Sequence, residues 1–393
     1  MKGTKVKKDK GITLISLVIT IVILLILAGV AIGALTGDNG LIKRAQEARE
    51  KSIQSSDEEL RQVAQLEAMT HLEDYDYTDK DGKKIKIPKG FAVSSVEGEK
   101  NESDGLVIID RKGNEFVWIP CTVAEYEACK TRDTSWPSYE YKNRTWSDDG
   151  MYNTGLESIK KLETAGYSTG FYVARYEAGI PEEMTEAYVN TDGGAYTQAE
   201  KKNNSNYTPV SKKGVQAWNY ISQANAKIVS QKMVPGKSYL INGTAWDVMI
   251  KKINTATGKS ITNSTDWGNY YNNTKTDYSK INTLYANHKI TNNAWTVATT
   301  YKKGLVTEAP KGQGTARLEL ATGASDDFKA YNLYDVAGNM WEWTTEQSTD
   351  NRVARRGGSF VSSGSDFPAS RSDGYSGVDG AYIDFGFRVV LYI

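Results

Sequence analysis

Asn332-Leu333-Tyr334-Asp335-Val336-Ala337-Gly338-Asn339-Met340-Trp341-Glu342-Trp343 is the stretch that decides the fold. Trp341 and Trp343 alternate with Glu342, so an extended backbone puts both indoles on one buried face and the carboxylate on the other. Asp335 and Glu342, with nearby carbonyls, form a compact hard-oxygen cluster of the kind calcium prefers. An acidic pair bonded to backbone amides in a tight turn is the alternative. Working outward, Arg356-Gly357-Gly358-Ser359-Phe360 and Gly386-Phe387-Arg388-Val389-Val390 follow. Upstream lie short apolar runs bounded by turn residues, Leu106-Val107-Ile108-Ile109, Phe116-Val117-Trp118-Ile119 and Phe171-Tyr172-Val173-Ala174, which read as strands. Asp81-Gly82 and Lys112-Gly113-Asn114 have hairpin-turn chemistry. Helices are expected at Val215 to Val229 and at Asn242 to Ile250, the second capped by Asn242 or Thr244. The polar stretches Glu182 to Lys213 and Asn254 to Tyr285 read as surface insertions.

The whole chain has 393 residues, 48 Lys+Arg against 48 Asp+Glu, 9 Trp and 24 Tyr. That length allows two or three domains, and the aromatic mass supports a sizeable core. Balanced charge without a block of like charges leaves no electrostatic footprint for nucleic acid. Only 2 His and 2 Cys are present, which removes most histidine catalysis, zinc fingers and iron–sulfur ligation. Cys121 and Cys129 read as a local disulfide or as unpaired structural thiols. His71 and His288 have no companion cluster and read as solvated side chains.

From Ile12 to Leu35 no charged residue occurs, so a helix there is long enough to cross a bilayer about 30 Å thick. Lys2, Lys5, Lys7, Lys8 and Lys10 precede it against Asp9 alone, which places everything after Leu35 outside the cytoplasm. The segment from Leu41 to Leu72 is rich in helix formers and reads as a solvated stalk, with a break plausible near Ser55. The expected organisation is a leader at 1–11, a transmembrane helix at 12–35, a stalk helix at 36–74 and one aromatic, turn-rich domain at 75–393.

Two resemblances attach to these residues. The basic leader, Gly11 and the run Ile12-Thr13-Leu14-Ile15-Ser16-Leu17-Val18 resemble a type IV prepilin cleavage site, which implies peptidase cutting between Gly11 and Ile12. Ser16 stands where that family carries a glutamate, and this puts filament assembly in doubt. From Ile85 to Ile393 the three C-terminal motifs in order, supported by Phe116 to Pro120 and Phe171 to Glu177, resemble the formylglycine-generating enzyme (sulfatase-modifying factor) superfamily. That resemblance implies an α+β, C-type-lectin-like fold with little regular secondary structure, and a calcium site at Asp335, Gly338, Met340 and Glu342. The copper-binding cysteines of the catalytic members correspond to Ser362 and Phe367, so neither copper nor catalysis is expected.

Between these motifs, Val361 to Phe385 is rich in Ser, Gly, Asp and Tyr, the composition of recognition loops. It contains no Lys, Glu, Gln, Trp or Met, which fits codons ending in a pyrimidine. The resemblance extends to variable proteins of diversity-generating retroelements; an ordinary Gly/Ser-rich loop is the alternative. The expected ligand-binding residues are Ser362, Ser363, Ser365, Asp366, Arg371, Asp373, Tyr375, Asp379, Tyr382 and Asp384. The expectation is a bacterial surface protein, anchored in the membrane or a pilus with other pilins, binding an extracellular protein, glycan or phage surface. A modifying oxidase of the parent family and a purely structural minor pilin are the alternatives.

Overall fold

A computed structural model describes residues 21–24, 41–130, 146–148, 150–184, 202–278, 281, 284–291, 294–299, 316–348 and 352–393. The chain divides into two compact units, Met1–Leu60 and Arg61–Ile393. In the first unit the described residues are helical. Among the described residues no helix is long and apolar enough to cross a membrane. The expected span at 12–35 lies outside them except for 21–24, as does the Gly11–Ile12 bond.

One helix runs Leu41–Ala68. The break expected near Ser55 does not form, because the segment holds neither Gly nor Pro, and Ser or Asp inside a helix costs only some tenths of a kcal/mol. From Arg61 onward the helix belongs to the second unit, where Ala64 and Ala68 are buried. Arg61 donates to Glu99 at 2.5 Å and to Glu115 at 3.4 Å. Arg175 meets the same two carboxylates at 2.8 and 2.7 Å. Two guanidinium groups and two carboxylates thus neutralise one another out of water.

A six-stranded sheet spans the second unit, ordered Phe91–Val93, Val107–Asp110, Glu115–Pro120, Gly170–Ala174, Val389–Leu391 and Ser238–Leu240. All its pairings are antiparallel. The three apolar runs form strands as their composition predicts, and Gly113 turns the hairpin between the first two with φ 82°. Both faces are covered. Val107, Ile109, Val117, Ile119, Phe171 and Val173 join one core with Trp246, Met249 and Ile250. The alternate residues Ile108, Phe116, Trp118 and Tyr172 join a second core with Trp218, Trp341, Trp343 and Phe387. A strand's period of two divides its side chains between the two cores.

A second sheet is ordered Ser372–Ser376, Arg352–Arg356, Trp341–Ser348 and Phe385–Phe387, the last pair running parallel. Trp341 and Trp343 share a core, as their alternation predicts. Asn242 caps the helix Gly243–Thr257 by accepting from the Ala245 amide at 2.7 Å. The helix expected from Val215 instead occupies Gln223–Ser230, because the Ser222 side chain caps it there. Ahead of that cap Tyr220 holds φ 55°, outside helical space. The stretch read as an insertion from Asn254 is no surface appendage: Trp267, Tyr270, Tyr278 and Ile281 are buried in it. His71, expected in solvent, stacks on Tyr75 at 3.9 Å between centroids. Cys121 and Cys129 are free and buried. Cys129 lies in the helix Val123–Lys130 and Cys121 just ahead of it, and the two thiols are not bridged.

Replacing Arg61 with alanine leaves Glu99 and Glu115 to share Arg175, and should cost about 3 kcal/mol. Urea unfolding followed by tryptophan fluorescence should show a lower midpoint at unchanged slope. An unchanged midpoint would mean the quartet contributes nothing net.

Candidate functional site

The acidic cluster is built by the turn that precedes the Trp341–Ser348 strand. Asp335, Gly338 and Asn339 take φ of 57°, 75° and 56°. Gly338 is required there, since a Cβ would sit 2.5 Å from the Asn269 carbonyl oxygen. Asp335 on the turn, Glu342 on the strand after it and Glu177 beyond strand Gly170–Ala174 form a group of three carboxylates, all nearly inaccessible to water. Glu177 accepts from the Asn339 amide side chain at 2.7 Å and from the Met340 backbone N–H at 2.9 Å. Asp335 accepts from the Gly323 N–H at 2.6 Å. Glu342 is gripped by Arg388, whose Nε reaches its two oxygens at 3.1 and 2.9 Å and whose Nη2 reaches Oε1 at 2.5 Å. Arg388 spends its other N–H groups on the carbonyls of Ala174 and Tyr334. Burial, reinforced by Asp335 and Glu342, pushes the Glu177 carboxyl well above the usual carboxylate range. Burial likewise raises Glu342 against the pull of Arg388, and raises Asp335 to about 7.

This arrangement does not suit calcium at Asp335, Gly338, Met340 and Glu342. The guanidinium already occupies the place beside Glu342 that a cation needs, and both Glu342 oxygens are committed to it. Among the described residues no group of three or more His, Cys, Asp or Glu is placed to hold a metal ion. Glu177 was visible in the sequence only as part of a strand motif. Its partner Asn339, in a turn, was the available signal.

The Val361 to Phe385 stretch has two parts. Its first part is clamped. Ser362 and Ser363 are buried, contrary to a contact role. Asn272 brackets this segment, donating to the Ser363 hydroxyl at 3.2 Å and accepting from the Gly364 N–H at 3.0 Å. Ser359 donates to Asp384 at 2.9 Å and lies 3.1 Å from the Ser362 hydroxyl. Phe367 packs edge-on against Trp341 at 5.5 Å, and Arg371 stacks over Phe367. Ser365 and Asp366 are exposed.

The second part contains a strand, Ser372–Ser376, paired to Arg352–Arg356. Tyr375 lies half-buried on Trp343 and Phe385, and burial pushes its hydroxyl up to about 12. Tyr382 is 44 % exposed, with its ring 5.1 Å from Tyr375 and its hydroxyl bonded to that of Tyr375. Beside them Arg355 lies 4.6 Å from the Trp341 ring and 4.4 Å from Phe385, tethered by Asp373. Asp379 is exposed. The structure therefore gathers Tyr375, Tyr382, Arg355 and Asp373 into one half-open aromatic patch. Two residues of this surface escaped the sequence reading. Arg355 stands outside the Ser/Gly-rich stretch, one residue before an arginine that turns inward to Asp247. Tyr271, 38 % exposed, bonds through its N–H to the Ser362 carbonyl from the supposed insertion.

Residues 253–393 match the model of the sulfatase-modifying factor enzyme 1-like domain. Among solved structures, CarF is 13% identical over 58% of this chain and 88% of its own, at a TM-score of 0.27. PvdO from Pseudomonas aeruginosa is 12% identical over 57% of this chain and 82% of its own, at 0.28. Treponema denticola variable protein 1 is 11% identical over 81% of this chain and 99% of its own, at 0.21. No curated protein matches the chain.

The buried carboxyls set a pH dependence. Asp335 moves from 3.8 to about 7 on folding, so the folded state holds the extra proton between those values. Its stability contribution is complete below about 4 and is lost as pH rises through 7. Asp335→Asn, which tolerates the positive φ, should flatten the fall of stability between pH 4.5 and 7.5 in urea titrations. A slope identical to wild type would place the proton elsewhere.

Proposed function

We propose that this chain is a membrane-anchored, extracytoplasmic ligand-binding protein whose contacts come from the face around Tyr375 and Tyr382. The observation that carries this reading is the patch itself: two tyrosines and an arginine held on a buried aromatic floor, with Asp366 and Asp379 exposed in the same stretch. Rigid aromatics that lose little entropy on binding are what contact surfaces use. Strand Arg352–Arg356 and strand Phe385–Phe387 flank the stretch, so substitutions at its exposed positions Ser365, Asp366, Asp379 and Tyr382 change contacts without dismantling a core. The absence of residue types needing a third-position purine supports diversification of that stretch by a retroelement.

The anchoring part of the reading rests on the charge-free run from Ile12 to Leu35 behind five lysines. A prepilin-like cut between Gly11 and Ile12 goes with it, while Ser16, in place of the family's glutamate, argues against packing with other pilins into a filament. The competing reading, a modifying oxidase, draws on the domain match at 253–393. Against it, the positions corresponding to the copper thiolates hold a buried Ser362 and a Phe367 packed on Trp341. In this reading the Arg388 guanidinium, not calcium, neutralises Glu342.

Four outcomes test the proposal. Tyr382→Ala should leave stability within about 0.5 kcal/mol while weakening capture of a surface partner by about 2 kcal/mol or more. Trp343→Ala, fully buried, should instead cost about 3–5 kcal/mol of stability. Equal capture by wild type and the Tyr382 variant in a pull-down from the native surroundings moves the site elsewhere. N-terminal sequencing of protein from native membranes should begin at Ile12; an intact Met1 ends the prepilin reading. Chelator should leave the melting temperature unchanged, and a drop that calcium restores would reinstate the metal site.

A further inference from the structure

A lysine, an asparagine and a glutamate from three separate segments meet in the interior. Lys202, Asn219 and Glu319 are 1%, 0% and 0% exposed. The backbone around each is held. The Trp218 indole N–H donates to the Lys202 carbonyl at 2.9 Å, and the Trp218 backbone N–H donates to the Ala178 carbonyl at 2.7 Å. Glu319 stands on strand Ala316–Leu320, beside a Leu320 N–H that donates to Asn339 at 3.2 Å. Lys202 Nζ donates to Asn219 Oδ1 at 2.7 Å. Asn219 Nδ2 donates to the Ile383 carbonyl at 2.7 Å and to Glu319 Oε1 at 3.3 Å. A carbonyl only accepts, so Ile383 fixes which end of the Asn219 amide is nitrogen.

The three side chains stand in the order that acyl transfer needs. An ammonium group has three N–H donors, yet among the described residues Lys202 makes one side-chain hydrogen bond, with the Tyr220 ring centroid 5.6 Å away. Burying a charge so sparsely met is costly. Burial accordingly pulls the Lys202 ammonium down to about 8 against the pull of Glu319, and a desolvated neutral amine is a nucleophile. Its target, Asn219 Cγ, lies one bond beyond the oxygen that Nζ touches, and the fold holds the two together before any reaction. Glu319 touches the nitrogen at the far end of the same amide, and Gln216 Nε2 steadies the same carboxylate oxygen at 3.3 Å.

We propose that Lys202 and Asn219 become joined by an intramolecular amide bond, with Glu319 carrying the proton. The neutral Lys202 amine adds its Nζ lone pair to Asn219 Cγ. The bond from Cγ to Nδ2 breaks, one Nζ proton passes by way of Glu319 to Nδ2, and Nδ2 departs as ammonia. A secondary amide and an unchanged carboxylate remain, so atoms and charge balance without a co-reactant. The link removes a buried charge and ties two segments covalently beneath the recognition stretch, where the Tyr220 N–H also donates to the Tyr382 carbonyl at 2.9 Å. It does not depend on what that stretch binds.

The test follows the full chain made by cell-free synthesis into lipid nanodiscs, sampled over time, denatured and weighed as the intact protein. Once tryptophan fluorescence reports the fold complete, the wild-type mass should settle one ammonia below the sequence mass. Trypsin cannot cut after an acylated lysine, so peptide 202–212 should appear joined to peptide 214–227. Lys202→Met should stay at the sequence mass. Glu319→Gln, which keeps the shape but not the proton carrier, should lose ammonia about a hundredfold more slowly. A folded wild type at the full sequence mass, an ammonia loss that maps to any other pair of peptides, or a Glu319→Gln chain that reacts at the wild-type rate would overturn the assignment.

Discussion

The ion pair between Arg388 and Glu342 is the interaction on which the rest of the structure depends. Arg388 stands between strand Phe385–Phe387, which runs parallel to the Trp341 strand, and strand Val389–Leu391, which enters the six-stranded sheet. Its guanidinium touches both sheets, through Glu342 on one and the Ala174 carbonyl on the other. Both partners are wholly buried. Burying two charges is costly, and such a pair is weak support for stability on its own. What it does here is geometric: five N–H donors in a fixed fork admit one relative placement of Glu342, Ala174 and Tyr334. That placement sets the floor of Trp341, Trp343 and Phe385 on which the tyrosine patch rests.

The same economy of charge recurs next to it, across the Ala174 and Tyr334 carbonyls that Arg388 bonds. Arg61 and Arg175 share Glu99 and Glu115, and Arg175 also lies under the rings of Tyr176 and Tyr334. Buried guanidinium groups therefore do the organising that regular secondary structure does in richer folds. Amide side chains do the rest. Asn272 and Asn273 satisfy backbone groups of irregular segments, while Asn269 and Asn339 bond the Leu318 carbonyl and the Leu320 N–H on strand Ala316–Leu320.

This explains which parts of the molecule were legible in its sequence. Alternation at Trp341 and Trp343, the three apolar runs and the Asn242 cap are local signals, and each gave the observed element. The helix expected at Val215 fell to a stronger local signal, the Ser222 cap, seven residues on. The Asn254 to Tyr285 stretch was misread because Asn and Thr look solvated in composition, whereas here their amides and hydroxyls replace a sheet. At the candidate site the tyrosines were readable from the company they keep. The burial of Ser362 and Ser363 was not, because it is imposed by Asn272, some ninety positions away in the chain. Arg355 escaped for the same reason: only strand pairing reveals which of two adjacent arginines faces outward.

Strand Val389–Leu391 sits in the interior of the six-stranded sheet, between Gly170–Ala174 and Ser238–Leu240, and it follows the Val361 to Phe385 stretch in the chain. The sheet is incomplete until that strand arrives, so neither core can close before every residue of the preceding stretch has been made. Folding thereby proofreads translation: a frameshift or premature stop within Val361 to Phe385 deletes Arg388 and the strand behind it together, and the product is left open to proteolysis. Chains read through that stretch in frame carry the strand that completes the sheet.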